Sequence, residues 1–307
     1  MIKKLFFKLW NAHDQFWFSD RSLLSLAMTR ILLCGSLFGL YLSRQWDIPR
    51  FYTDAGILPK AMALPVLPEF YRPYLLLAQW PDSFAPVIHM GLVVGLLLMT
   101  FGLGNRLFNF LIWLLSLAFL QRNYALAFGA DLIGNLFLLL LAGTKSCERL
   151  SLKNILKTKQ QTLISKSDLL SNLCYRLLQI QLCIIYVYTG FEKLKGGSWW
   201  DGTALWTVLA NPQMVIFDLS WMRSLSFFIV FLTFATMLFE IYFPFLVTSK
   251  ITRIPTLIFG LLFHVGIGFI MALWGFAIIM LSVYVLFLTE DEVKNCLKSR
   301  FFLKRLY

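Results

Sequence analysis

Residues 254–289 read IPTLIFGLLFHVGIGFIMALWGFAIIMLSVYVLFLT, 36 positions without a lysine, arginine, aspartate or glutamate. As one α-helix this run would measure roughly 54 Å at 1.5 Å per residue. The hydrocarbon core of a bilayer is only ~30 Å thick. The run therefore has to turn and return, and the turn is expected near Ala272–Gly275.

Working outward, further apolar stretches lie at about 22–43, 84–102, 106–120, 124–143, 169–190 and 224–248. With the divided run they make eight expected spans. The fold class implied is an all-α polytopic membrane protein, a bundle of about eight transmembrane helices. Of the 307 residues, 59% are hydrophobic and only 14% charged, more apolar surface than a soluble domain of this length could hide. The formal charge of +12 falls mostly in loops beside apolar runs, where basic residues act as topology signals and anionic-lipid contacts. No basic patch with interleaved aromatic residues stands outside the spans, so the lipid bilayer is the expected partner and nucleic acid is not.

With the N-terminus inside, 18 lysines and arginines fall on the cytoplasmic side and 8 on the other, and Arg30 and Arg176 fall within spans. This asymmetry predicts that both termini are cytoplasmic. Residues 1–21, with Leu5, Phe6, Leu9, Trp10, Phe16 and Trp17 among lysines, are expected as an N-terminal interfacial helix. Residues 22–289 form the transmembrane domain and 290–307 a basic tail, with no soluble domain expected after the last span. The run from Leu23 to Leu42 contains Arg30 and is too long for the core of a signal peptide, so it reads as a retained span. The first outer loop, 44–83, is rich in proline, tryptophan and tyrosine and is expected to lie on the membrane surface.

The densest chemistry follows the fifth span, from Tyr188 to Leu205. It holds Lys193, Lys195, four glycines, Trp199 and Trp200 where a helix should leave the membrane. A lysine there lies in reduced dielectric, which disfavours its charge, and a neutral amine can act as base or nucleophile. The alternative is a snorkelling lysine that anchors the helix end. Arg30, Asp131, Arg176 and Glu240 fall in or at the ends of spans, where charge is costly and often marks a site. The alternative is an interhelical salt-bridge frame. His264 lies inside the seventh span and could shuttle protons or simply bond a neighbouring helix. His13 and His89 read as interface residues. Three scattered histidines without carboxylates at ligand spacing predict no metal site. Gly35 with Gly39 and Gly91 with Gly95 fit close helix packing.

Together these segments resemble the HTTM family, the transmembrane module shared with vitamin K-dependent gamma-carboxylases. The resemblance rests on four features. Arg30 follows the N-terminal lysines, and Tyr52-Thr53-Asp54-Ala55-Gly56-Ile57-Leu58-Pro59 looks like the family's first-loop motif. Tyr188 to Leu205, with Gly190, Lys193, Leu194, Trp199 and Gly202, looks like its central motif, and Phe263-His264 opens its late histidine span. The resemblance implies reduced vitamin K or another quinone as cofactor, with Lys193 as base. It also implies a bacterial inner-membrane location and an extracytoplasmic pocket, with His264 as a second catalytic candidate and Arg30, Tyr52, Asp54, Trp199, Trp200 and Glu240 as lining. The carboxylases carry two lysines where this chain has Glu192-Lys193, and a histidine motif where it has Gln121-Arg122-Asn123-Tyr124. Short bacterial members include a protein required to mature a secreted sporulation-delaying peptide. Two readings follow: a carboxylase-related enzyme acting on a quinone-like cofactor or a secreted peptide, or a non-enzymatic factor that matures or exports such a peptide, alone or beside a small accessory protein. A transporter is the weakest reading, for want of an inverted repeat.

Overall fold

The computed structural model describes residues 10, 11, 13–63, 65, 79–123, 126–156 and 166–298. Leu5, Phe6 and Leu9 of the expected interfacial helix lie outside the described residues, as do positions 64 and 66–78 of the first loop and the end of the tail; residues 13–18 are helical. Among the described residues there is no strand.

Each expected span carries a helix: α1 Leu23–Ser43, α2 Ala85–Thr100, α3 Arg106–Arg122, α4 Gly129–Ala142, α5 Leu169–Leu194, α6 Ser226–Thr248, α7 Arg253–Met271 and α8 Trp274–Tyr284. Five are long and apolar enough to cross a membrane: α1, α2 with its leading turn, α5, α6 with its leading turn, and α7. A sixth is added if α4 is joined to Ser146–Asn154 across a 70° bend. α3, α4 and α8 have only 17, 14 and 11 residues.

The chain divides into two compact units, Met1–Leu178 with Leu288–Tyr307, and Gln179–Phe287. α5 contributes its first turns to one unit and its remainder to the other.

In the first unit α1 packs on α2, and Leu26, Leu33, Leu37, Leu92, Leu96 and Met99 are fully buried. Gly95 admits the Ile112 side chain, whereas nothing approaches Gly39. His89 is buried rather than interfacial: its Nε2 meets the Tyr41 carbonyl at 2.8 Å, near the end of α1 where carbonyls lack helical partners. Arg44 caps α1 and grips Asp131, in the first turn of α4, through two bonds of 2.7 and 2.9 Å. A cation at one helix's C-terminus and an anion at another's N-terminus also suit both helix dipoles.

In the second unit the long apolar run turns where expected. α7 ends at Met271, Ala272 takes a left-handed conformation (φ 55°), and α8 starts at Trp274. That conformation costs a non-glycine residue about 1 kcal/mol or more. Packing holds it: Phe269 and Trp274 meet edge to face at 4.5 Å, and Ile216 N–H bonds the Ile270 carbonyl at 3.0 Å.

Candidate functional site

The site is built on one face of α5. Tyr186, Thr189, Gly190 and Lys193 are spaced three, four and seven residues apart, which places them along one side of a helix. At Gly190 the backbone of α6 comes close. A Cβ there would stand 2.8 Å from Ile241 Cγ1 and 3.0 Å from Ile241 N. The missing side chain thus lets α6 approach, and Lys193 Nζ reaches Glu240 Oε2 at 2.6 Å. Glu240 is buried, with 6% of its side chain exposed against 20% for Lys193. The Thr189 hydroxyl bonds the Glu240 carboxylate as well and lies 3.1 Å from the Tyr186 carbonyl.

The chain beyond α5 folds back over this pair. Lys193 Nζ lies 5.1 Å from the centre of the Trp199 ring, a cation–π contact. Trp200 is exposed, and its Nε1 donates to the Leu194 carbonyl at 2.8 Å, tying off the helix end. Gly202 (φ 72°) lets the segment turn down against Val230, whose Cγ1 would stand 2.8 Å from an added Cβ. Lys195 points away, 70% exposed, and pairs with Glu192 at 2.6 Å. That pairing holds its amine above the ordinary lysine value through the hydrogen bond and charge of Glu192. Glu192, adjacent to Lys193 in sequence, is thus the partner of Lys195, and the buried Glu240 is the partner of Lys193.

Deeper in the unit lies a second polar cluster. The Tyr186 hydroxyl meets His264 Nε2 at 2.6 Å and also bonds the Tyr284 hydroxyl. His264 is buried, and its Nδ1 has no hydrogen-bond partner among the described residues. Phe239, Phe243, Phe263 and Phe276 surround these rings. Tyr186, Tyr284 and Thr189 are functional candidates that motif reading passed over; the spacing back from Lys193 along α5 was the available signal for Tyr186 and Thr189.

The other expected site residues have structural partners in the first unit. Arg30 is fully buried and donates to the carbonyls of Ser146, Arg149 (3.1 Å) and Leu150 (2.7 Å), gathering the bend after α4. Tyr52 is buried and stacks on Phe119 at 4.1 Å. Burial pushes its phenol up to about 12. Arg122 Nε donates to the Tyr52 carbonyl at 3.0 Å, and its Nη2 bonds Asp82 and lies 3.6 Å from Asp54. Asn123 donates to the Phe51 carbonyl at 2.6 Å. Where the carboxylases carry a histidine motif, this chain uses Arg122 and Asn123 to fasten the first-loop motif. Asp131 is taken by Arg44, and Arg176 donates to the Phe16 carbonyl at 2.8 Å while covering the Phe16 ring.

Residues 24–291 match the HTTM domain. The chain belongs to the HTTM family. The match crosses both compact units, and the chain is a helical multipass membrane protein. It is also similar to sporulation-delaying protein SdpB of Bacillus subtilis (strain 168), 30% identical over 141 residues. That similarity covers 44% of this chain and 43% of the relative's length. No solved structure matches.

Proposed function

We propose that this HTTM protein is an inner-membrane enzyme that works through Lys193 on the extracytoplasmic side, acting on a quinone-like cofactor or an exported peptide. In this reading α1 to α8 make eight crossings and both termini are cytoplasmic, following the distribution of basic residues. The observation that carries it is the Lys193–Glu240 pair: an amine at a helix end, a fifth of its side chain exposed, 2.6 Å from a buried carboxylate and beneath an indole. Surface lysines that merely anchor a helix point to water, as Lys195 does.

The pair can hold one proton at either atom. When Glu240 Oε2 takes it, Lys193 Nζ is left as a neutral amine able to accept a proton from a weak acid. The Trp199 face suits a flat apolar molecule, and the amine suits its acidic hydroxyl, so these residues fit reduced vitamin K or another quinol. Bound there, such a cofactor would supply an oxidisable hydroquinone. Lys193 and Trp199 would hold its polar edge, with His264 as the second working group. Arg30, Tyr52 and Asp54 serve this reading as supports of the first unit, and Trp200 as the clasp that ends α5.

The test is epoxide formation from vitamin K hydroquinone by purified detergent-solubilised protein. Epoxide from wild type and at least a ~100-fold loss in Lys193→Ala, the scale of a lost general base, supports the reading. A fully active Lys193→Ala sinks it. The similarity to a sporulation-delaying protein favours a second reading, a non-enzymatic factor for maturing or exporting a secreted peptide, alone or beside a small accessory protein. It predicts that peptide release survives Lys193→Ala and is lost when packing at Gly190 is disturbed.

A further inference from the structure

Tyr186 places one hydroxyl between two other polar groups. Its one hydroxyl touches two groups, His264 Nε2 and the Tyr284 hydroxyl, each of which can donate or accept. The three groups can be ordered in two ways with the same number of bonds. In one order Tyr284 donates to Tyr186, which donates to His264 Nε2, so the imidazole proton rests on Nδ1. In the other His264 Nε2–H donates to Tyr186, which donates to Tyr284, and Nδ1 is bare. Nδ1 is buried without a partner among the described residues in both, so neither order gains a bond there. A chain with two nearly balanced arrangements responds to a small bias.

That bias is at hand. Glu240 follows Phe239, whose ring meets that of Tyr186 at 5.4 Å, and its partner Lys193 lies two turns along α5 from Tyr186, which brings its charge to bear on both phenols. Charges inside a dry protein are weakly screened. Proton sharing between Lys193 and Glu240 changes the charge that the phenols face, and around Tyr186 the other neighbours include the Phe239 and Phe243 rings and the Cys183 thiol.

We propose that Tyr186, Tyr284 and His264 form a hydrogen-bond switch that reverses its direction with the protonation state of the Lys193–Glu240 pair, with Tyr186 as its positioning residue. The proposal rests on the reading of Lys193–Glu240 as a proton-exchanging site. Its consequence is that the proton on the His264 ring moves between Nδ1 and Nε2 as that site cycles, with no net charge moved into the buried cluster.

The chain contains only His13, His89 and His264, so histidine-selective 15N labelling of the full chain in lipid nanodiscs resolves the ring directly. His264→Gln assigns its signals, and His89, in the first unit, reports intact folding. Glu240→Gln is expected to change the balance between the two ring-nitrogen signals of His264 and leave His89 unmoved. Tyr186→Phe is expected to abolish that response. Lys193→Met, which takes the cation from the pair's more exposed side and leaves Glu240 without it, is also expected to change the balance between the two His264 signals and keeps the test open should Glu240→Gln fail to fold. Identical His264 signals in wild type and a folded pair variant overturn the switch. The hydroquinone assay separates the two ideas. A response at His264 without epoxide keeps the switch and removes vitamin K oxygenation, and epoxide without the response keeps the oxygenation and overturns the switch.

Discussion

Arg30 in the first unit and Lys193 in the second are both cations on long apolar helices, and they are held in opposite ways. Arg30 is fully buried and spends its two terminal nitrogens on three backbone carbonyls of the 146–150 bend. Those oxygens belong to a bend that runs from a short 3₁₀ turn, Ser146–Glu148, to Leu150, which is left-handed (φ 45°). Lys193 has a single carboxylate, an aromatic face and part of its surface open. A cation held at three points by backbone is a fastener. A cation with one shared proton and an open side can exchange with something else. Buried charge alone does not distinguish support from site; the number and kind of partners does.

The largest break in this comparison should come from Arg30→Met. The carbonyls of Ser146, Arg149 and Leu150 would lose a charged donor inside the unit, a loss of about 3–5 kcal/mol by analogy with other buried charged partners. The expected outcome is little folded protein, read as monodisperse yield and melting temperature in detergent. Arg30→Lys should recover less than half, because an ammonium cannot fork to three oxygens as a planar guanidinium does. A stable, monodisperse Arg30→Met would show that the bend does not depend on it.

Gly190 tests the other side at the level of the backbone. Leucine there would drive a side chain into Ile241 and prise α6 from α5, an overpacking cost of about 1–3 kcal/mol. The fold should survive in part while the Lys193–Glu240 contact is lost, so activity should fall further than the melting temperature implies. Equal losses in both would make Gly190 a packing residue only.

Lys193→Ala should then separate chemistry from stability. It is expected to accumulate as wild type does and to lose turnover by at least ~100-fold. Lys195→Ala, two residues on, should leave both stability and turnover essentially unchanged, because most of its surface is in water and its ion pair with Glu192 is solvent-screened. If the two variants behave alike, the contrast between a site lysine and an anchoring lysine fails.

The helices were legible in the sequence as apolar runs, and five of them are long and apolar enough to cross a membrane. The turn in the last run followed from the arithmetic of bilayer thickness and was found at Ala272. Lys193 was legible from its place at the end of α5, and the family resemblance singled it out. Its partner was not. Glu192 is adjacent in sequence, but neighbouring helical residues point to different sides, and the contact with Glu240 depends on how closely Gly190 lets α6 approach. Tyr186 and Tyr284 were invisible for a related reason: a tyrosine in an apolar helix reads as core until the atom its hydroxyl touches is known. The expected spans α3, α4 and α8 were legible as helices, while their lengths, 17, 14 and 11 residues, were not.

The smallest expected effect sharpens the idea that partner count decides role, this time for an exposed ion pair. Asp168, just before α5, accepts from Arg106 at 2.6 Å and from Ser171 N–H at 3.0 Å, with a third of its side chain in water. The Arg106 hydrogen bond, with help from Ser171, holds its carboxyl well below the usual carboxylate range. A depressed carboxyl contributes stability above its unfolded value, near pH 4, and loses it as pH falls through the folded value. Asp168→Asn should therefore lower the melting temperature slightly and by a constant amount from pH 6 to 8, and the gap should narrow as pH falls below about 4. Solvent screening keeps the effect small, far below that of Arg30→Met. A gap that widened on acidification would mean that Asp168 is stabilising in its protonated form, and that its bonds to Arg106 and Ser171 do not set its charge.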